Sequence, residues 1–201
     1  AVAGTPVDLP ASARTPDLVA RRPVEADPAA LAAAGAVPRL HVARPGGERA
    51  RVATIGGVER RWTVVVPPNA KEDDKLPILV VLHGVGGVGT AMRWVGFEQP
   101  AAAANALVVY PDASGGSWND GRPGMEPLAG TPVDDVAFLR ELLDRVATEF
   151  GGDLERASIV GFSNAALMAS RAACDMPERL RAVVLVSGAG PRDVAQRCRP
   201  S

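Results

Sequence analysis

The chain has 201 residues, the length of one domain at the usual ~100–200 residues. Its 47% hydrophobic and 22% charged content can pack a core and is too apolar for a disordered chain. Twenty-two basic residues nearly cancel 23 acidic ones, which argues against a nucleic-acid-binding protein or a membrane-surface binder. No apolar run approaches the ~20 residues that span a bilayer.

Residues 1–46 carry Pro6, Pro10, Pro16, Pro23, Pro28, Pro38 and Pro45. Proline fixes φ and removes a donor, so this stretch reads as an irregular arm or linker ahead of a core spanning 47–201. One short helix is predicted in it over Asp27 to Ala34, with Asp27 as N-cap and Pro28 in its first position. The chain starts at Ala1 without a charged and apolar leader, so any signal peptide is expected to be already removed.

Arg51 to Ile55 and Glu59 to Val66 flank Gly56-Gly57, which supplies the positive φ of a tight hairpin. Leu76 to Leu82 (LPILVVL) and Ala106 to Tyr110 (ALVVY) are continuous apolar runs, the pattern of strands buried on both faces. Between them lie a glycine-rich loop, His83 to Gly89, and a short helix predicted over Gln99 to Asn105. Pro111 to Pro132 is a long loop. Val136, Leu139, Leu143 and Val146 recur at helical spacing, predicting a helix over Asp134 to Phe150 that Gly151 stops. Asp134 and Asp135 read as its N-terminal cap and dipole partners rather than as catalytic acids. Ala157 to Val160 and Ala182 to Val186 are predicted strands, with a helix over Ala165 to Cys174 between them. Strands alternating with helices predict an α/β fold with a mostly parallel sheet and helices on both faces.

Chemistry concentrates at Gly161-Phe162-Ser163-Asn164-Ala165, a Gly-x-Ser-x-small turn between a strand and a helix. A nucleophilic serine must stand clear of its neighbours on strained backbone, and small residues on either side allow strand and helix to come close. Ser163 is thus the candidate nucleophile. The helix N-terminus offers free N–H groups to a developing oxyanion, with Asn164 as one donor. The usual last residue of the pattern is Gly; Ala165 adds only a methyl. At the end of the first buried strand, His83-Gly84 turns the chain so that the Val85 N–H is a second donor. The His83 ring is read as a prop for the loop. The same glycines, Gly84 to Gly89, spell G-x-G-x-x-G. A dinucleotide site is disfavoured because Gly96 and Pro100 interrupt the helix it needs. Asp112 also lies 28 positions past Gly84, beyond the usual ~20. Cys174 and Cys198 form either one disulfide or two buried thiols, and their spacing fits no metal site.

Taken in order, these landmarks resemble the secreted α/β-hydrolase esterases that include polyhydroxybutyrate depolymerases and feruloyl esterases. The matching stretches are RWTVVVP from Arg61, LPILVVLHG from Leu76, VVYPD from Val108, SWNDGR from Ser117, DDVAFL from Asp134 and GFSNAALM from Gly161, followed by Ala173-Cys174 and Cys198-Arg199-Pro200. The resemblance implies an α/β-hydrolase fold and a serine carboxylic-ester hydrolase that works through an acyl-enzyme on Ser163. It implies Val85 and Asn164 as the oxyanion pair, a Cys174–Cys198 disulfide, no metal or organic cofactor, and a secreted or cell-envelope location. Its substrate is an ester: a polyester, a feruloyl ester or a small acyl ester. Trp118 either lines the substrate cleft or packs on the core.

In this fold the triad acid and histidine follow the serine. The histidines are His41 and His83, and the acids after Ser163 are Asp175, Glu178 and Asp193, none after a recognisable next strand. The chain is therefore expected to lack the fold's C-terminal strands and to be inactive by itself. Three explanations stand: a longer natural chain, a second chain supplying the rest, or a non-catalytic binding module on a degenerate fold. The first is preferred, because a sheet ending at its sixth strand leaves an unpaired apolar edge.

Overall fold

The computed structural model describes residues 46–122, 133–188 and 198. The arm over 1–46 and its helix over Asp27 to Ala34 lie outside the described residues, Gly46 excepted. Among the described residues, six strands form one sheet in the order β1-β2-β4-β3-β5-β6. They are β1 (Gly47–Ile55), β2 (Val58–Val66), β3 (Leu76–Leu82), β4 (Leu107–Pro111), β5 (Gly152–Phe162) and β6 (Ala182–Val186). The β1–β2 hairpin turns at Gly56 and Gly57, both at positive φ, as a two-residue turn requires. β2 joins β4 antiparallel, and β4, β3, β5 and β6 run parallel.

β3 and β4 read as unbroken apolar runs because both faces of the sheet are covered there, whereas β6 is half-exposed, with Val184 51% and Leu185 40% exposed. On one face, Val80, Leu82, Leu107, Val109 and Ile159 pack beneath helices α2 (Asp135–Phe150) and α3 (Asn164–Asp175). On the other, Val81, Val108, Tyr110 and Val160 meet Met92 and Ala101. These come from a 3₁₀ segment, Gly89–Val95, and the short helix α1 (Glu98–Ala103). The Asp134 carboxylate accepts the Ala137 N–H at 2.9 Å and caps α2, while Gly151 ends it at a φ of 70°. Cys174 and Cys198 are disulfide-bonded. No helix among the described residues is long and apolar enough to cross a membrane.

Two strands and one side chain differ from the sequence expectation, the first being β1, which begins at Gly47 and not at Arg51. β5 begins at Gly152, not Ala157. Gly152 and Asp153 already pair with Leu76 and Pro77, after which the register jumps to Ile78↔Ala157. Leu154 to Arg156 form the bulge, so a charged stretch that reads as loop belongs to the strand. Asp135 is not a surface dipole partner. It is fully buried, with its Oδ1 2.7 Å from Arg60 Nη1, and Arg60 is 2% exposed. The Arg60 guanidinium also lies over the Phe138 ring, 4.5 Å from its centroid. Arg60 alternates with Trp62, Val64 and Val66 on the buried face of β2, so strand periodicity alone turns it inward.

Burial pushes the Asp135 carboxyl above the ordinary carboxylate range, although the Arg60 charge pulls it down. Asp135→Leu alone should cost about 3–5 kcal/mol, because it strands a buried guanidinium. Arg60→Met together with Asp135→Leu should recover most of that loss. Urea midpoints at constant slope measure both; equal losses in the single and double variants would contradict the pairing. The folded chain keeps the Asp135 proton to higher pH than the unfolded chain. Wild-type stability relative to the double variant should therefore be greatest below the ordinary carboxylate range and decline as pH rises through the raised pKa.

Candidate functional site

β3 and β5 end side by side, with Leu82 paired to Gly161. The chain then turns abruptly into α3. Gly161 is required by contact, since a Cβ there would lie 2.0 Å from the Ala165 carbonyl oxygen. Ser163 sits at the tip with φ 56° and ψ −120°, and is exposed. Non-glycine backbone at positive φ costs on the order of 1–3 kcal/mol and persists where its surroundings fix it. Here the Ser163 N–H donates to the Val186 carbonyl at 2.9 Å, and the Ser163 carbonyl accepts from the Ala166 N–H at 2.9 Å. The extra methyl of Ala165 is fully buried in the turn. Asn164 is the first residue of α3, so its N–H has no acceptor within the helix.

The loop after β3 lies against this turn. A Cβ on Gly84 would come 3.4 Å from Ser163 Cβ and 4.0 Å from Oγ. The Gly84 carbonyl is held by the His83 Nδ1–H at 2.7 Å and the Gly87 N–H at 3.1 Å. Gly84 C=O and Val85 N–H belong to one planar trans peptide. Fixing the carbonyl toward the ring therefore turns the Val85 N–H the other way. Among the described residues that N–H has no backbone acceptor. His83 is 1% exposed, and its Nε2 accepts the Ala113 N–H at 3.0 Å. One nitrogen must donate and the other accept, so the ring carries its proton on Nδ1 and braces the loop. Neither nitrogen is available to Ser163. Among the described residues, no hydrogen bond engages Ser163 Oγ.

Trp118 is 0% exposed, so it does not line a cleft. Its ring stacks on Phe138 at an interplanar angle of 10°, and its indole N–H donates to the His83 carbonyl at 2.9 Å. Its backbone is clasped by the Asn164 side chain: the Trp118 N–H donates to Asn164 Oδ1 at 2.9 Å, and Asn164 Nδ2 donates to the Trp118 carbonyl at 3.1 Å. Asn164 Nδ2 also donates to the buried Asp120 carboxylate at 2.6 Å, and Arg122 pairs with that carboxylate at 2.7 Å. Sequence reasoning missed this web. Its signal is the SWNDGR stretch, a large aromatic among hydrogen-bonding side chains in a loop.

The dinucleotide alternative meets a different geometry. A Cβ on Gly89 would sit 2.5 Å from the Tyr110 carbonyl oxygen, so this glycine serves packing. The Gly89 N–H donates to Asp112 Oδ1 at 2.6 Å, which occupies both the helix-initiating donor and the acid.

The fold is the α/β-hydrolase fold, and a serine-bearing strand–turn–helix stands at the carboxyl ends of its parallel strands. No protein-family model matches the chain. Of curated relatives, NocK of Nocardia uniformis subsp. tsuyamanensis, which carries an esterase name, is 29% identical over 149 residues, or 73% of this chain and 43% of its own length. Feruloyl esterase D of Neurospora crassa is 24% identical over 147 residues, or 67% of this chain and 47% of its own. A thermostable esterase of known structure shares the fold at a TM-score of 0.60 and 22% identity, covering 75% of this chain and 44% of that one. The chain thus spans less than half the length of these relatives.

The contact geometry separates two glycines. Gly161→Ala should cost about 3 kcal/mol or more, because its methyl overlaps backbone that cannot yield. Gly84→Ala should cost less than about 1 kcal/mol, since its methyl meets ordinary van der Waals distances. Denaturation midpoints compare them; equal costs would refute the steric account of the turn.

Proposed function

We propose that the protein is a serine carboxylic-ester hydrolase. Ser163 Oγ gives its proton to the triad base and attacks the ester carbonyl; the bond between the acyl carbon and the alkoxy oxygen breaks, the proton passes to that oxygen and the alcohol leaves; water then hydrolyses the acyl-enzyme to free acid and serine. The N–H groups of Val85 and Asn164 hold the negative oxygen of each tetrahedral intermediate. Either donor is worth roughly 10²–10³ in rate. The observation that carries this reading is the exposed Ser163 at positive φ, on a turn that only Gly161 permits.

The triad acid and base lie, in this proposal, outside residues 46–188. His83 is committed to its loop, and the relatives extend well beyond the length matched by this chain. The substrate class is a feruloyl or related acyl ester, supported by the feruloyl esterase name of one relative. A polyester of the polyhydroxybutyrate type is the other substrate that the sequence resemblance implies. Export is part of the proposal, because a disulfide such as Cys174–Cys198 persists in oxidising compartments. That no hydrogen bond engages Ser163 Oγ among the described residues favours a second reading, a non-catalytic binding module.

Hydrolysis of p-nitrophenyl acetate and methyl ferulate by the protein from its natural source tests this. Activity is expected, and Ser163→Ala should remove it, by a factor of at least about 10³. Unchanged turnover in the variant would contradict the assignment, and no turnover in the wild type would favour the binding module.

A further inference from the structure

The two proposed oxyanion donors sit on separate pieces of chain. Val85 is on the loop after β3, and Asn164 opens α3. The last paired residues between the strands that lead to them are Leu82 and Gly161. Beyond that pair, no sheet hydrogen bond between β3 and β5 fixes how far apart the donors stand. An oxyanion needs both N–H groups aimed at one atom, with an error below about 0.5 Å. Something else must set their separation.

Trp118 spans that gap. Its backbone N–H and carbonyl are both bound by the Asn164 side chain. Its indole N–H binds the His83 carbonyl, in the peptide immediately before the one that carries the Val85 N–H. The route from one donor to the other is thus Asn164 amide, Trp118, His83 carbonyl, Gly84, Val85. Trp118, His83 and Asn164 are 0%, 1% and 3% exposed, so water cannot readily replace a missing link. Stacking on Phe138 holds the indole plane, and the Asp120 carboxylate fixes which way the Asn164 amide faces by accepting from its Nδ2.

We propose that Trp118 is a positioning residue for the oxyanion site, and that its indole N–H, bound to the His83 carbonyl, holds the Val85 and Asn164 donors in register. It touches no reacting atom and acts through His83 and Asn164. The inference rests on the esterase reading above and deepens it. Removing only the N–H leaves the His83 carbonyl buried without a donor and loosens the 83–84 peptide, so that the next peptide, although its carbonyl keeps its bonds to the His83 ring and the Gly87 N–H, shifts relative to Asn164. The Val85 N–H then loses its aim. Substrate binding in the ground state makes little use of that aim, so the effect falls on kcat.

The test is steady-state hydrolysis of p-nitrophenyl acetate by the natural full-length protein, with inhibition by a phenylboronic acid, which forms a tetrahedral adduct on serine. Two replacements of Trp118 are compared. Trp118→Phe removes the N–H and part of the ring. The benzothiophene isostere of tryptophan, incorporated at position 118, puts sulfur where the N–H stood and keeps the ring's shape. For the isostere we expect kcat to fall at least about tenfold with KM within about twofold, and boronate affinity to weaken alongside kcat. Trp118→Phe should show the same split wherever it folds. An isostere with wild-type kcat overturns the proposal, even if Trp118→Phe fails to fold. So does a loss in kcat matched by an equal rise in KM with boronate affinity unchanged. A wild-type protein without Ser163-dependent turnover overturns the esterase reading and this inference together. Wild-type turnover with an indifferent isostere overturns this inference alone.

Discussion

The backbone contact between Gly161 and Ala165 is the constraint on which the rest of the site depends. A strand and a helix meet there closely enough that any side chain at Gly161 would overlap the first turn of the helix. That closeness drives Ser163 to positive φ and lifts it out of the sheet into solvent. It also puts the N-terminus of α3 directly behind the serine. The strain is held by two backbone hydrogen bonds, from Ser163 to Val186 and from Ala166 to Ser163. β6 therefore contributes to the site by pinning the turn as well as by extending the sheet.

Around this turn lies a connected set of buried polar groups. The Arg60–Asp135 pair ties the hairpin to α2, and Asp135 also accepts the Asn119 N–H at 2.7 Å. The Asn119 carbonyl accepts from Arg171 on α3 at 2.8 Å. One residue earlier in the loop, Trp118 links Asn164 to the His83 carbonyl. Arg60, Asp135, His83, Trp118, Asp120 and Asn164 are buried, so losing one partner among them leaves the other unsatisfied at a cost of about 1–3 kcal/mol, or more for a charge, whereas Asn119 and Arg171 are partly open to water. Exposed pairs such as Arg61–Glu59, with both side chains 59% exposed, contribute little by comparison. The loop is thus held by a few interior bonds, while the surface ion pairs are incidental to the site.

Much of this was legible in the sequence because local rules governed it. LPILVVL is a strand with the bounds its apolar run predicts, and Gly56-Gly57 is the hairpin turn. Asp134 and Gly151 bracket α2 as cap and stop. The turn at Ser163 showed through small residues at fixed offsets. The charged start of β5 did not, because a bulge lets exposed Glu155 and Arg156 sit within a strand. Asp135 read as a surface dipole partner because it is ordinary in its own segment, and only its meeting with Arg60 across the fold explains its burial. Trp118 was open between cleft and core for the same reason: its partners, His83 and Asn164, are distant in sequence.

The claim on which the account turns is that two backbone donors converge on the oxygen bound to the group that Ser163 attacks. The structure of the protein after reaction with an alkyl fluorophosphonate tests it most directly. The account predicts phosphorus bonded to Ser163 Oγ, with one phosphonyl oxygen about 2.7–3.1 Å from both the Val85 and the Asn164 nitrogens. An adduct whose oxygen faces solvent or meets other donors, or modification at a residue other than Ser163, would contradict it.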